Sequence, residues 1–351
     1  MDKLTQLGIS ATRLPLAQLP EVAVSAERAG FESIWYPEIA STDAFVPLTV
    51  VAHHTQRIRL ATGIVGIWSR SPSVMALSAA TLNHVSHGRF KLGLSRQNRY
   101  AVENWHGRKS EDPLRAVREY VGILRKILAG ESVAEEGVDF RTNFQMFAPP
   151  PEPPIPIYLA ALGPKMLQLA GEIADGIFGA FYSERYIKDV VLPNLEIGAK
   201  RAGRSLNDID IGSMLHSVIT DDDSGLELIK GQIMSFSSLP HYAEIFRTTG
   251  FGDQAQEIRD LVSRGEVEAA LQTIDDEMAD SFTISGSPDH ARKRVEAYFS
   301  AGLNTIALQP VCPGTFSPFY KGQFPESVRI PEFSLPDFMA VVQRTIDCFA
   351  V

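Results

Sequence analysis

Cysteine is almost missing from this chain: only Cys312 and Cys348 occur among 351 residues. Usage this sparse fits a reducing, cytoplasmic setting better than a disulfide-stapled secreted scaffold. No apolar run approaches the roughly 20 residues of a membrane helix. The opening Met1-Asp2-Lys3-Leu4-Thr5-Gln6 also lacks the apolar core of a signal peptide. Positive charge is in deficit, with 33 Lys and Arg against 42 Asp and Glu, a net charge of −9. That balance argues against nucleic acid or an anionic membrane as partner, yet leaves room for an anionic ligand in a local pocket. Three further absences narrow the chemistry. Without H-E-x-x-H or a paired C-x-x-C, no metal centre is expected. No G-x-S-x-G suggests a hydrolase. No G-x-G-x-x-G follows the first strand, which weakens a Rossmann-type reading.

What the sequence does have is alternation between short apolar runs and amphipathic helices. Strands are expected over 7–10, 33–36, 58–65, 90–94, 157–160, 177–181, 209–219 and 304–309. Between them, Leu19, Val22, Ala23 and Ala26 repeat at helical spacing, and Pro72 opens a helix to Val85. Asp112-Pro113 begins another, with Ala116, Tyr120, Ile123, Leu124 and Ile127 on one face. Further helices are expected over 48–54, 164–174, 184–202 and 335–349. Strands separated by helices pair in parallel through right-handed crossovers. Reaching eight strands favours a closed (β/α)8 TIM barrel over an open doubly wound sheet. The alternation lapses between Asp221 and Met278, so an inserted helical segment near 221–278 is expected, as a lid or an oligomer contact. The proline-rich run 148–156 reads as an extended surface connection rather than a domain linker, which leaves 1–351 as one barrel domain.

Several segments carry a family likeness. IRLATGIVGIWSRSP (58–72), AATLNHVSHGRFKLGL (79–94) and PIYLAALGPKMLQLAGEIADG (156–176) stand in order. A D-D-x5-F run at 275–282 then leads into GSPDHARKRVEAYFSAGLNTIALQPV. Together they resemble the bacterial luciferase-like superfamily, and within it the coenzyme F420-dependent branch typified by methylenetetrahydromethanopterin reductase. The resemblance implies a flavin or deazaflavin at the C-terminal mouth of the barrel, a small-molecule substrate and a homodimer. It also implies a non-proline cis peptide between Gly63 and Ile64, with Ile64 and Val65 behind the ring.

The residues themselves suggest where such a ligand would sit. Ala160-Ala161-Leu162-Gly163-Pro164-Lys165-Met166 ends a strand and begins a helix, so free amides and the positive helix end converge there. This is the candidate phosphate cradle, with Lys165 able to add charge. The turn after Leu94, Ser95-Arg96-Gln97-Asn98-Arg99, replaces the Gly-rich turn of relatives, and Arg96 or Arg99 could bind an anion instead. Where relatives place Asp-His near the ring, this chain has Pro37-Glu38. Glu38 is the candidate acid or base because it stands at a strand's C-terminal end. Asn98 occupies the position of a second catalytic acid in the sugar-phosphate dehydrogenase branch, so that activity is disfavoured. His216 is a candidate proton donor, and Trp68, Trp105, Tyr182 and His106 are candidate mouth residues. The expected activity is hydride transfer between F420 and an organic substrate. An FMN-dependent monooxygenase and a flavin-binding protein without turnover are the alternatives.

Overall fold

The computed structural model describes residues 6–40, 42–109, 111–222, 224–312, 314–315 and 332–351. Of the opening hexapeptide, all but Gln6 lies outside them. The strands are β1 (Leu7–Ser10), β2 (Ser33–Tyr36), β3 (Arg59–Thr62), β4 (Val65–Gly66), β5 (Phe90–Ser95), β6 (Val133–Glu136), β7 (Arg141–Phe144), β8 (Ile157–Leu159), β9 (Gly176–Ala180), β10 (Asp210–Ile219), β11 (Ile284–Gly286) and β12 (Thr305–Pro310). Eight of them close a ring in the order β1-β2-β3-β5-β8-β9-β10-β12, every pairing parallel, with β12 returning to β1. The fold is therefore the expected TIM barrel. Pro72, Pro113, Pro164 and Pro288 each open a surrounding helix, a position where the missing N–H costs nothing.

Period-two alternation divides the strand side chains into two cores. Ile9, Ile34, Leu60, Leu92, Leu94, Ile177 and Leu308 face outward and pack under the helices. Trp35, Ala61, Tyr158, Phe178 and Ala307 form a separate inner cluster that plugs the barrel. Trp35 stacks on Phe178 at 3.8 Å between ring centroids, and Tyr158 meets Trp35 edge-on at 5.5 Å. Such pairs contribute about 0.5–1.5 kcal/mol each beyond their buried area.

Below the plug, at the N-terminal end, Lys91 lies nearly buried between Glu32 (3.3 Å) and Asp210 (3.8 Å). Tyr158 donates to Asp210 at 2.6 Å, and Thr305 donates to the same carboxylate at 3.0 Å. A cavity of about 710 Å³ opens onto this network.

The insertion forms helices Ser224–Ser237, Ala243–Thr249, Gly252–Ser263, Val267–Gln272 and Asp276–Phe282. Its polar sequence conceals an aromatic anchor. Phe181, just past β9, stacks on Phe236 (4.4 Å) and on Phe282 (4.8 Å). Ser183 and Thr249 share a hydrogen bond of 2.7 Å. The expected strand over 58–65 is interrupted, with β3 and β4 separated at Gly63-Ile64. Elements unread in the sequence include the antiparallel hairpin β6–β7, the strand β11, the helical turn Ala101–Trp105 and the helix Pro288–Ala301. Among the described residues, no helix is long and apolar enough to cross a membrane, and no cluster of His, Cys, Asp and Glu could hold a metal ion.

Candidate functional site

The C-terminal mouth concentrates irregular backbone. Arg13, Gln97 and Phe181 follow β1, β5 and β9 with φ of +70°, +60° and +63°. Non-glycine residues in this region are uncommon and gather at functional sites. The Gly63-Ile64 peptide is cis, as the resemblance implied. Local chemistry shapes this break. The Thr62 hydroxyl donates to the Gly93 carbonyl (2.9 Å) and accepts from the Gly93 amide (2.8 Å), replacing ladder bonds where the chain turns away. A side chain at Gly63 would press on Trp35 and Phe178, at 3.1 and 3.3 Å. Ile64 and Met214 then rest on the inner plug while remaining partly exposed, which makes them a floor.

Above that floor the β5–β8–β9 wall carries only small inward groups, Ser95, Ala160 and Ala180, all partly exposed. Beyond it lies the 160–166 turn. The Tyr182 hydroxyl donates to the Ala161 carbonyl and Tyr186 donates to the Leu162 carbonyl, the latter at 2.7 Å. Burial pushes the Tyr186 hydroxyl up to about 12 and that of Tyr182 well above its usual value, so both remain neutral donors. With the carbonyls tied inward, the amides of Leu162, Gly163 and Lys165 find no acceptor among the described residues. They sit at the start of helix Pro164–Ile173, which has no side-chain cap. A side chain at Gly163 would meet nothing within 4 Å. The arrangement offers an open, positively polarised pocket to an anion. Lys165 and Arg96 stand near it, exposed and without an ion pair among the described residues, whereas Arg99 is paired with Glu103 at 2.7 Å. His241 of the insertion has its pKa lowered by burial and then by the charge of Arg96, which brings the insertion to the rim.

The other predicted residues divide. Val65 and Leu94 are fully buried in the outer core, so alternation leaves them only backbone to offer the mouth. Ala161 and Met166 are likewise buried and shape the turn from beneath. Glu38 stands at the rim, its amide bonded to the Ile64 carbonyl at 3.1 Å. Its carboxylate is gripped by Arg70 through both oxygens, at 2.8 and 2.7 Å. Arg70 also binds Asp43 and lies over the Phe45 ring at 4.9 Å. His216 is buried against Phe236 (5.1 Å), and burial lowers its pKa to about 3. It is thus a neutral imidazole at physiological pH. Trp68 packs on Phe140 at 4.8 Å in the core, Trp105 is half exposed, and His106 lies at the end of the same turn. Arg70, Gln97 and Tyr186 escaped sequence reasoning, because their partners lie tens of residues away.

Two clefts lie away from the mouth. One is the basal cavity, whose charged groups are already networked. The other, about 400 Å³, lies outside the barrel, where Glu172 pairs with both Arg118 and Arg201. The outer cleft is lined in part by Lys165 of the 160–166 turn.

A parallel barrel with open amides and a shaped floor at its C-terminal mouth has the architecture of a barrel that binds a ligand at that end. The chain belongs to the luciferase-like monooxygenase family, which it matches over residues 4–305. It is 33% identical to a Mycobacterium tuberculosis protein named as a coenzyme F420-dependent oxidoreductase, over 82% of this chain and 89% of that one. It is 29% identical to 5,10-methylenetetrahydromethanopterin reductase of Methanolobus tindarius, covering 85% and 92% of the two chains. The solved structure of F420-dependent tetrahydromethanopterin reductase from Methanopyrus kandleri superposes with a TM-score of 0.77 at 26% identity, over 87% and 92%.

Proposed function

We propose that this chain is an oxidoreductase that holds the deazaflavin F420 at its barrel mouth and serves hydride transfer to or from a small organic substrate. The observation that carries the reading is the 160–166 turn, whose exposed amides lack acceptors among the described residues while its carbonyls are held back by Tyr182 and Tyr186. The residues fit such a cofactor. The Leu162, Gly163 and Lys165 amides, with Lys165 and Arg96, would take its phosphate, and Ile64 with Ser95 and Ala160 would flank a flat ring. When bound, the deazaflavin supplies the hydride chemistry, and the barrel supplies orientation and exclusion of water.

Glu38 is the better placed of the two proton-handling candidates. It stands at the rim, its carboxylate held by Arg70 through both oxygens. His216, neutral and buried, could only orient or donate a hydrogen bond. Relatives named for F420 support the deazaflavin, while the family's description as a monooxygenase supports FMN as the second reading. A homodimer fits the apolar outer faces of helices Phe45–His54 and Pro72–Val85, where Val46, Val50, Val74 and Leu77 are exposed. Light scattering of the purified protein tests that part.

The test of function is anaerobic titration with F420 and with FMN, followed by absorbance and fluorescence. Preference for F420 is expected. Preference for FMN would move the reading to a monooxygenase. Binding of neither would overturn it. Binding of F420 without any substrate-dependent spectral change across alkenes, imines and alcohols would leave a cofactor-binding protein without turnover.

A further inference from the structure

Gln97 is the mouth residue whose placement packing does not explain. It adopts a left-handed backbone, φ +60°, which costs a residue bearing a Cβ more than it costs glycine. The Ser95 hydroxyl fixes its amide at 2.8 Å. Its side chain lies across Gly66 so closely that a methyl group there would overlap the carboxamide. Gly66 pairs with Ser95 and stands two residues beyond Ile64. Val65 between them turns into the outer core, so Ile64 and Gly66 share the inward face. The carboxamide of Gln97 is therefore carried on the same inward face as the floor residue Ile64. Its Oε1 is buried and has no hydrogen-bond partner among the described residues. Buried acceptors left unpaired are unusual in native proteins and call for an explanation.

We propose that Gln97 is a cofactor-contacting residue, its carboxamide accepting a hydrogen bond from the N–H edge of the ring that lies against Ile64. This deepens the proposed function and rests on it. Both flavin and deazaflavin rings carry a pyrimidine N–H flanked by carbonyls, so the contact contributes affinity for either. An unpaired buried acceptor and a left-handed backbone then have one common reason: the ligand completes the residue's bonding.

The test compares wild type with Gln97→Gly and Gln97→Asn by fluorescence titration with F420 and FMN, the absorption spectrum of the bound cofactor, and thermal unfolding. Glycine relieves the backbone while removing the carboxamide. Asparagine tolerates the left-handed conformation but shortens the reach. Both variants should melt no lower than wild type, shift the bound cofactor's absorption band, and raise its Kd about 3- to 10-fold, the range of a single neutral hydrogen bond. Wild-type affinity and an unshifted band in both variants would overturn this inference alone. Failure of wild type to bind either cofactor would overturn the proposed function and this inference together.

Discussion

The two ends of the barrel are built from similar groups and left in opposite states. At the base, Lys91 is enclosed by Glu32 and Asp210, and Asp210 also takes the Tyr158 and Thr305 hydroxyls. At the mouth, the Leu162, Gly163 and Lys165 amides and the Gln97 Oε1 are unmet among the described residues. The plug formed by Trp35 and Phe178 separates them. A closed network in a low-dielectric setting gives rigidity, whereas open donors, solvated without a ligand, give an affinity for an anion. The difference teaches that the size of a cavity is a poor guide here. The 710 Å³ basal cavity is large, but its Lys91, Glu32 and Asp210 are already paired.

Mutations at the two ends should therefore separate stability from binding. The largest effect is expected from Lys91→Met at the base, which leaves two carboxylates facing each other. Stability should fall by about 3 kcal/mol in urea unfolding, the scale for breaking a buried ion pair, while cofactor Kd stays at its wild-type value. Loss of cofactor binding by a folded Lys91→Met protein would break the comparison. At the rim, Arg70→Met should cost about 2 kcal/mol, and Glu38→Gln less, because Asp43 still holds the guanidinium in the second variant. Equal losses in the two would show that Asp43 contributes nothing.

His216 gives a pH signature. Its folded pKa of about 3 lies below the ordinary 6.5, so between those values only the unfolded chain is protonated there. Its contribution is complete above pH 6.5 and is lost as pH falls toward 3, at up to about 1.4 kcal/mol per pH unit. His216→Gln should flatten that acid limb, measured as melting temperature against pH. An unchanged slope would argue that the imidazole is solvated. The smallest effect is expected for Tyr186→Phe, about 1 kcal/mol of stability with a modest rise in cofactor Kd, since one of two carbonyl anchors remains.

The barrel was legible because its determinants are local and periodic. Strand boundaries at Leu7–Ser10 and Ser33–Tyr36 coincide with the apolar runs, and helix starts fall on proline. The turn at 160–166 was legible for the same reason, as a strand end running into Gly163-Pro164. Other features were not. The hairpin at Val133–Glu136 and Arg141–Phe144 is polar on both strands, and helix Pro288–Ala301 is rich in charge, so neither shows a clean apolar period. Arg70 grips Glu38 from 32 positions away, and Tyr186 reaches Leu162 from 24. Gln97 reads as an unremarkable polar loop residue until Gly66 is seen beneath it. Long-range side-chain partnerships leave no local trace in a single sequence.

The most direct test of the central claim, that the mouth holds an anionic cofactor on its open amides, is Gly163→Asp. Gly163 is the N-cap of its helix, its φ of −82° suits any residue, and the new side chain enters open space. Aspartate caps helices well, so thermal stability should hold or rise slightly, while its charge at the cradle repels a phosphate. The account predicts an unchanged or higher melting temperature together with a loss of about tenfold or more in F420 affinity, or about 1.4 kcal/mol. Retention of wild-type affinity by the stable variant would contradict it.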